Sequence, residues 1–302
     1  MNEVVLKKLK ICVLGADGQL GQEFRYLASS YEFLAFDFYS KKLLNIEDKT
    51  ALKDILNSEN FDYVFNCAAY TAVDKAESEV EKCYAINTQA CETIVDTLSG
   101  LQTRLVHFSS DYVYHTYSGF PLTENDVTSP KGVYAKSKLE GEQIIRKSKT
   151  PSLILRTSWV FSSFGHNFVK TMLRLGSEKS VISVVNDQFG APTYARHLAV
   201  AVLDIITTIE TNPNLIHAFN ETYNFANEGF VSWYDIAVRI MAEGGLECAV
   251  NPISTQEYPS RAERPSWSVL SKNKIKERFS LEIPHWFRAL KECISEIKAQ
   301  TQ

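Results

Sequence analysis

The sequence predicts an α/β fold, a doubly wound parallel sheet of the Rossmann kind with a smaller α+β substrate lobe. Three observations carry that expectation. Short apolar runs alternate with helical stretches through the first half of the chain, the pattern of consecutive βαβ units. The first of those runs leads through a glycine-rich turn directly into a helix. The second half is less regular and holds Pro192, Pro252, Pro259, Pro265 and Pro284, which suits a lobe that closes over a substrate.

Leu9–Leu14 is an apolar run of the length expected for a strand buried on both faces. It enters Gly15-Ala16-Asp17-Gly18-Gln19-Leu20-Gly21, and a helix follows from residue 22. In this spacing Gly15 allows a tight turn, Gly18 lets the backbone approach a pyrophosphate, and Gly21 lets helix and strand pack closely. Gly15, Asp17, Gly18, Gln19, Leu20 and Gly21 are therefore candidate cofactor residues, with the phosphates resting on the helix N-terminus. A second apolar run over 33–36 closes at Asp37, about 20 residues on, where a ribose-binding carboxylate is expected.

The remaining elements follow in turn: helix 49–57, strand Tyr63–Asn66, helix 79–98, strand 104–108, a helix from near Tyr134, strand 152–156, and a last helix over 286–298. Ligands of such sheets bind at the C-terminal ends of the strands. That places Ala68, Ala69, Tyr70, Ser110 and Trp159 at one end of the molecule. The expected division is a dinucleotide-binding domain over 1–158, completed by about 195–225, and a substrate lobe from about 159–194 and 226–302.

Of the 302 residues 45% are hydrophobic and 23% charged, with a net charge of −4, an ordinary globular composition with ample core. No long basic stripe invites nucleic acid or an anionic membrane. No apolar run approaches the roughly 20 residues of a membrane span, and residues 1–10 precede no signal-peptide core. The six cysteines are scattered without a C-x-x-C pair, and no histidine has a ligand-spaced partner. The expectation is a reduced, cytoplasmic protein with no metal site.

The chemistry is read from Tyr134 and Lys138, four residues apart and so on one helix face. An ammonium beside a phenol favours the phenolate and brings its pKa from about 10 toward the range of an acid/base catalyst. With the Ser110 hydroxyl to hold a carbonyl oxygen, the three groups suit reduction of a ketone or oxidation of an alcohol.

Several further segments stand in order: Asn66-Cys67-Ala68-Ala69-Tyr70-Thr71-Ala72-Val73-Asp74, Phe108-Ser109-Ser110-Asp111-Tyr112-Val113-Tyr114, Arg156-Thr157-Ser158-Trp159-Val160, Asn167-Phe168, Asn186-Asp187-Gln188-Phe189-Gly190-Ala191-Pro192-Thr193, and Arg264-Pro265 followed by Ser268. With the glycine turn, they resemble the extended short-chain dehydrogenase/reductase superfamily and, within it, the dTDP-4-dehydrorhamnose reductase family, nearly end to end. The resemblance implies reduction of dTDP-4-dehydro-L-rhamnose to dTDP-L-rhamnose by a reduced nicotinamide. Tyr134 would donate the proton, Ser110 would hydrogen-bond the carbonyl oxygen, and Lys138 would hold the cofactor ribose. Ala68, Ala69 and Tyr70 would line the nicotinamide side, and Thr71, Val73, Tyr112, Trp159 and Asn167 the sugar pocket. Arg261 or Arg264 would meet the diphosphate.

Some positions depart from that pattern. Ser110 replaces a frequent threonine, Ala135 a frequent glycine, and Tyr114-His115-Thr116 the usual Phe-Asp-Gly, which changes the loop beside the pocket more than the chemistry. Some members bind Mg²⁺ between subunits through three glutamates. Glu23 and Glu296 match two of those positions, but Arg196 holds the third and cannot ligate a cation. No metal is expected, and the oligomeric state, monomer or homodimer, stays open. Asp37 favours NADH, whereas Ser40, Lys41 and Lys42 could receive the 2′-phosphate of NADPH, so both cofactors stand. Asn87 is either a backbone partner within its helix or part of a water relay. Alternative readings are a 4-ketoreductase of another deoxysugar nucleotide, a 4,6-dehydratase or epimerase with tightly held NAD, and a non-catalytic dinucleotide-binding subunit like the methionine adenosyltransferase β-subunit.

Overall fold

The computed structural model describes residues 8–301. Its centre is a six-stranded sheet of β1 (Leu9–Leu14), β2 (Leu34–Tyr39), β3 (Tyr63–Asn66), β4 (Arg104–Ser110), β5 (Ser152–Thr157) and β6 (Thr222–Phe225). The strands run in the order β6-β5-β4-β3-β1-β2, every neighbouring pair parallel. The chain leaves β1 toward β2 on one side and returns to β3 on the other. That reversal opens a crevice at the C-terminal ends of β1 and β3, the place where doubly wound sheets bind ligands.

Alternation along the strands explains the layering. Ile11, Val13, Phe65, Val106 and Leu155 face one core, capped by helices Gln19–Leu27 and Ala195–Thr211. Cys12, Leu14, Val64, Leu105 and Ile154 face the other, beneath Lys49–Ser58, Ala90–Leu98 and Gly132–Lys147. Asp48 starts the helix Lys49–Ser58 by accepting the Thr50 and Ala51 N–H groups at 3.1 and 3.0 Å.

The smaller part is α+β, as expected. Val181–Val185 pairs in parallel with Ala249–Ile253, and Phe189–Gly190 lies between Val231–Ser232 and Trp267–Ser268. Helices Phe168–Glu178, Trp233–Gly244 and Trp286–Thr301 surround a third core that includes Phe161, Ile182, Ile240 and Leu290. Among the described residues no helix is long and apolar enough to cross a membrane.

Two elements differ from the expectation. The helix expected over 79–98 is interrupted: Val80–Tyr84 passes into a π-helical turn at Ala85–Gln89 before Ala90–Leu98 resumes. The second strand does not close at Asp37 but continues to Tyr39, whose partner Leu14 ends β1. Aspartate is rare in strands, which is why it reads as a terminus.

Candidate active site

The glycine turn forms a backbone cradle. Gly15 has φ +74°, and a Cβ there would stand 2.6 Å from the Ala68 nitrogen. A Cβ on Gly21 would stand 2.6 Å from the Gly15 carbonyl oxygen, so only glycine lets the helix meet the turn. Gly18, the helix N-cap, supplies no side-chain cap, which leaves first-turn N–H groups for an anion. A cleft opens here, with Gly15, Gly18, Lys41, Asn45, Ala68 and Tyr70 in its walls. A cradle that a single methyl would fill, beside a long cleft, fits a dinucleotide.

Asn87 sits in the π-helical turn and holds the far wall. Its Oδ1 accepts the Tyr70 N–H at 2.9 Å, and its Nδ2 donates to the Tyr70 carbonyl at 3.2 Å and to Ser137 Oγ at 3.0 Å. These contacts satisfy backbone groups of Tyr70 rather than of its own helix. π-turns of this kind recur at functional sites.

Ser110 ends β4, and Tyr134 lies in the first turn of Gly132–Lys147. The Ser110 hydroxyl donates to Asp111 Oδ1 at 3.0 Å and interacts with the Tyr134 phenol. Tyr112 meets Tyr134 edge to face, ring centroids 5.5 Å apart. Lys138, almost fully buried, donates to the Phe108 carbonyl at 2.7 Å. The expected lowering of the phenol by the ammonium is not found. Burial pushes Tyr134 up to about 12, with the Ser110 hydroxyl opposing the rise. Burial lowers Lys138 in turn. Desolvation outweighs the i,i+4 attraction because Lys138 turns toward the strand.

The other expected site residues separate into groups. Asp37 pairs with Lys10 at 3.4 Å, inside β2. The cleft wall beyond β2 is Lys41, Leu44, Asn45 and Ile46. Thr71 continues the cleft wall from Tyr70, and Val73 opens the short helix Val73–Ala76. Trp159, at φ +48°, stacks on Trp233 with ring centroids 3.5 Å apart, so one indole face is covered from within. Asn167 caps the helix Phe168–Glu178 and donates to Gln19 Oε1 at 3.0 Å, tying that helix to the glycine turn. Arg264 pairs with Asp74 at 2.5 Å, and Arg261 is exposed.

Arg196 lies between the two glutamates. Its guanidinium binds the fully buried Glu23 and reaches Glu296 at 2.6 and 2.9 Å. The cation that these carboxylates hold is one of the chain's own.

Sequence reasoning missed Asp111 and Asp74. Asp111 is buried beside Ser110, its Oδ1 accepting the Ser110 hydroxyl at 3.0 Å; burial pushes its carboxyl up to about 7, with the nearby Ser268 and Ser110 hydroxyls opposing. Its position next to the candidate hydroxyl of Ser110 was a usable signal, although the approach of Ser268 from across 157 residues was not.

A family model described as "RmlD substrate binding domain" matches residues 9–299. The chain is 37% identical over 291 residues to a dTDP-4-dehydrorhamnose reductase of Aggregatibacter actinomycetemcomitans, covering 93% of this chain and 97% of that protein. It is 38% identical over 289 residues to the spore coat polysaccharide biosynthesis protein SpsK of Bacillus subtilis, covering 95% and 97%. Among solved structures, the dTDP-4-dehydrorhamnose reductase of Bacillus anthracis in complex with NADP superposes with a TM-score of 0.88 at 32% identity, covering 96% of this chain and 99% of that one. The dTDP-glucose 4,6-dehydratase of the same organism shares the fold at 16% identity and a TM-score of 0.77.

Proposed function

The chain belongs to the dTDP-4-dehydrorhamnose reductase family, and from that premise we propose how its residues reduce dTDP-4-dehydro-L-rhamnose to dTDP-L-rhamnose with NADPH or NADH. The observation that supports the reading is Ser110 at the end of β4 interacting with the Tyr134 phenol, which packs near the cleft residue Tyr70, with Lys138 one helical turn on. Gly15, Gly18 and the first turn of Gln19–Leu27 hold the pyrophosphate through backbone N–H groups. Asn87 fixes Tyr70, which with Ala68 and Ala69 walls the nicotinamide end. When bound, the reduced nicotinamide supplies the hydride that reaches carbon 4 of the sugar.

Charge then develops on the carbonyl oxygen. Ser110 donates a hydrogen bond to that oxygen, and Tyr134 delivers the proton that completes the alcohol. A phenol held near 12 is protonated at neutral pH, the state a donor needs. Lys138, anchored on Phe108, presents its remaining N–H donors to the cofactor ribose. Thr71, Val73, Tyr112, Trp159 and Asn167 border the sugar pocket, with Arg261 and Arg264 on the loop above it.

Incubation with enzymatically prepared dTDP-4-dehydro-L-rhamnose and either cofactor tests the reading. Stoichiometric cofactor oxidation with dTDP-L-rhamnose as the product supports it. No oxidation of either cofactor, in protein that binds a dinucleotide, would contradict it.

A further inference from the structure

One acid outside the reacting groups gathers a whole loop. Asp74 lies in the short helix Val73–Ala76, four residues past Tyr70. Its Oδ1 accepts from Ser260 Oγ, Arg261 N and Ala262 N, each at 3.1 Å, and from Arg264 Nη1 at 3.3 Å. Its Oδ2 accepts from Arg264 Nη2 at 2.5 Å. Partial burial raises this carboxyl, but the Arg264 guanidinium, the Ala262 N–H and the Ser260 hydroxyl outweigh it and hold it at about 2. Asp74 is therefore ionised throughout the working range.

The loop leads from this latch into the reaction site. Three residues past Arg264 it enters the strand Trp267–Ser268, which pairs with Phe189–Gly190 and brings the Ser268 hydroxyl near Asp111, the neighbour of Ser110. Arg264 also acts on the phenol of Tyr112, whose ring meets Tyr134 edge to face. The loop thus has one end tied beside the cofactor wall and leads at the other to a strand that lies near the neighbour of Ser110.

We propose that Asp74 is a positioning residue that latches the 260–264 loop across the sugar-nucleotide cleft and thereby sets how tightly the substrate's nucleotide diphosphate is held. The inference rests on the substrate reading above. Arg264 arrives already neutralised by Asp74, whereas Arg261 makes no ion pair among the described residues and has its backbone pinned by the same carboxylate. The latch therefore fixes the backbone that carries one uncompensated guanidinium, the group a diphosphate would need. Asp74 touches neither the hydride path nor the proton path.

The test compares wild type, Asp74→Asn, Asp74→Glu and Arg261→Gln in the full chain. For Asp74→Asn we expect KM for the dTDP-sugar and Kd for dTDP to rise about tenfold or more. Its kcat should stay within about threefold and its cofactor Kd should not change. Asp74→Glu should restore part of the loss, and Arg261→Gln should reproduce it. Trypsin cleavage after Arg261 should quicken several-fold in Asp74→Asn at an unchanged melting temperature. A wild-type KM in Asp74→Asn, or a loss confined to kcat, would overturn the proposal. Wild type that neither turned over the sugar nor bound dTDP would instead sink the substrate reading. Unchanged cleavage in the trypsin arm would then still overturn the latch.

Discussion

Asn87 clamps Tyr70 by both backbone groups, its Oδ1 on the Tyr70 N–H at 2.9 Å and its Nδ2 on the Tyr70 carbonyl at 3.2 Å. A side-chain amide is thereby used as a strand neighbour would be, at the end of β3 where no strand continues. Asn87→Ala leaves two backbone groups and the Ser137 hydroxyl without that partner, at about 1–3 kcal/mol for each group that water does not reach. We expect cofactor affinity to fall about tenfold alongside a drop in stability. Isothermal titration with NADPH checks this; wild-type affinity in a folded variant would show the clamp to be dispensable.

Arg196 is the counter-charge of a buried glutamate. Arg196→Ala strands Glu23 without a cation, which typically costs 3–5 kcal/mol. Urea unfolding should show a loss of about that size, smaller in Arg196→Lys. Because a guanidinium joins both carboxylates, Mg²⁺ or a chelator should leave the stability and oligomeric state unchanged. Mg²⁺-dependent association in sedimentation would contradict this.

Asp111 makes stability depend on pH in an identifiable direction. Its carboxyl is pushed up to about 7 by burial, against a model-peptide value of 3.8. Between those pH values the folded protein keeps a proton that the unfolded chain has released. Stability from this group is thus full below about pH 4 and declines as pH rises through 7. Asp111→Asn should flatten that part of the curve. Unfolding free energies at pH 5 and pH 8 measure the difference, and an identical slope in both proteins would refute the assignment.

Lys41 lines the cleft, where it pairs with Glu47 at 3.3 Å, while Asp37 is engaged by Lys10. A 2′-phosphate there gains a charge-assisted contact. Lys41→Ala should raise KM for NADPH about tenfold and leave that for NADH unchanged. Equal effects on the two cofactors would mean that Lys41 does not read the phosphate.

The legible parts of the fold are those whose physics is local. A turn at φ +74° pressed against Ala68 admits only glycine, so residue type records it. The i,i+4 spacing of Tyr134 and Lys138 records a shared helix face. The π-turn at Ala85–Gln89 carries no comparable mark, because ordinary helix formers occupy it. The pair Asp74–Arg264 and the approach of Ser268 to Asp111 join residues far apart in the chain, and nothing local to either partner announces them. The phenol's raised pKa was illegible for a related reason: it follows from burial, which only the assembled site creates.

Tyr134 as the proton donor is the central claim, and single-turnover stopped flow tests it most directly. Wild type and Tyr134→Phe, each preloaded with NADPH, would be mixed with dTDP-4-dehydro-L-rhamnose and followed by the loss of cofactor absorbance. The phenol-to-phenyl change keeps the ring against Tyr112 and removes only the hydroxyl. We expect hydride transfer to slow by about 10² or more while cofactor binding is preserved. A Tyr134→Phe enzyme within about tenfold of wild type would contradict the account and move the proton to another donor.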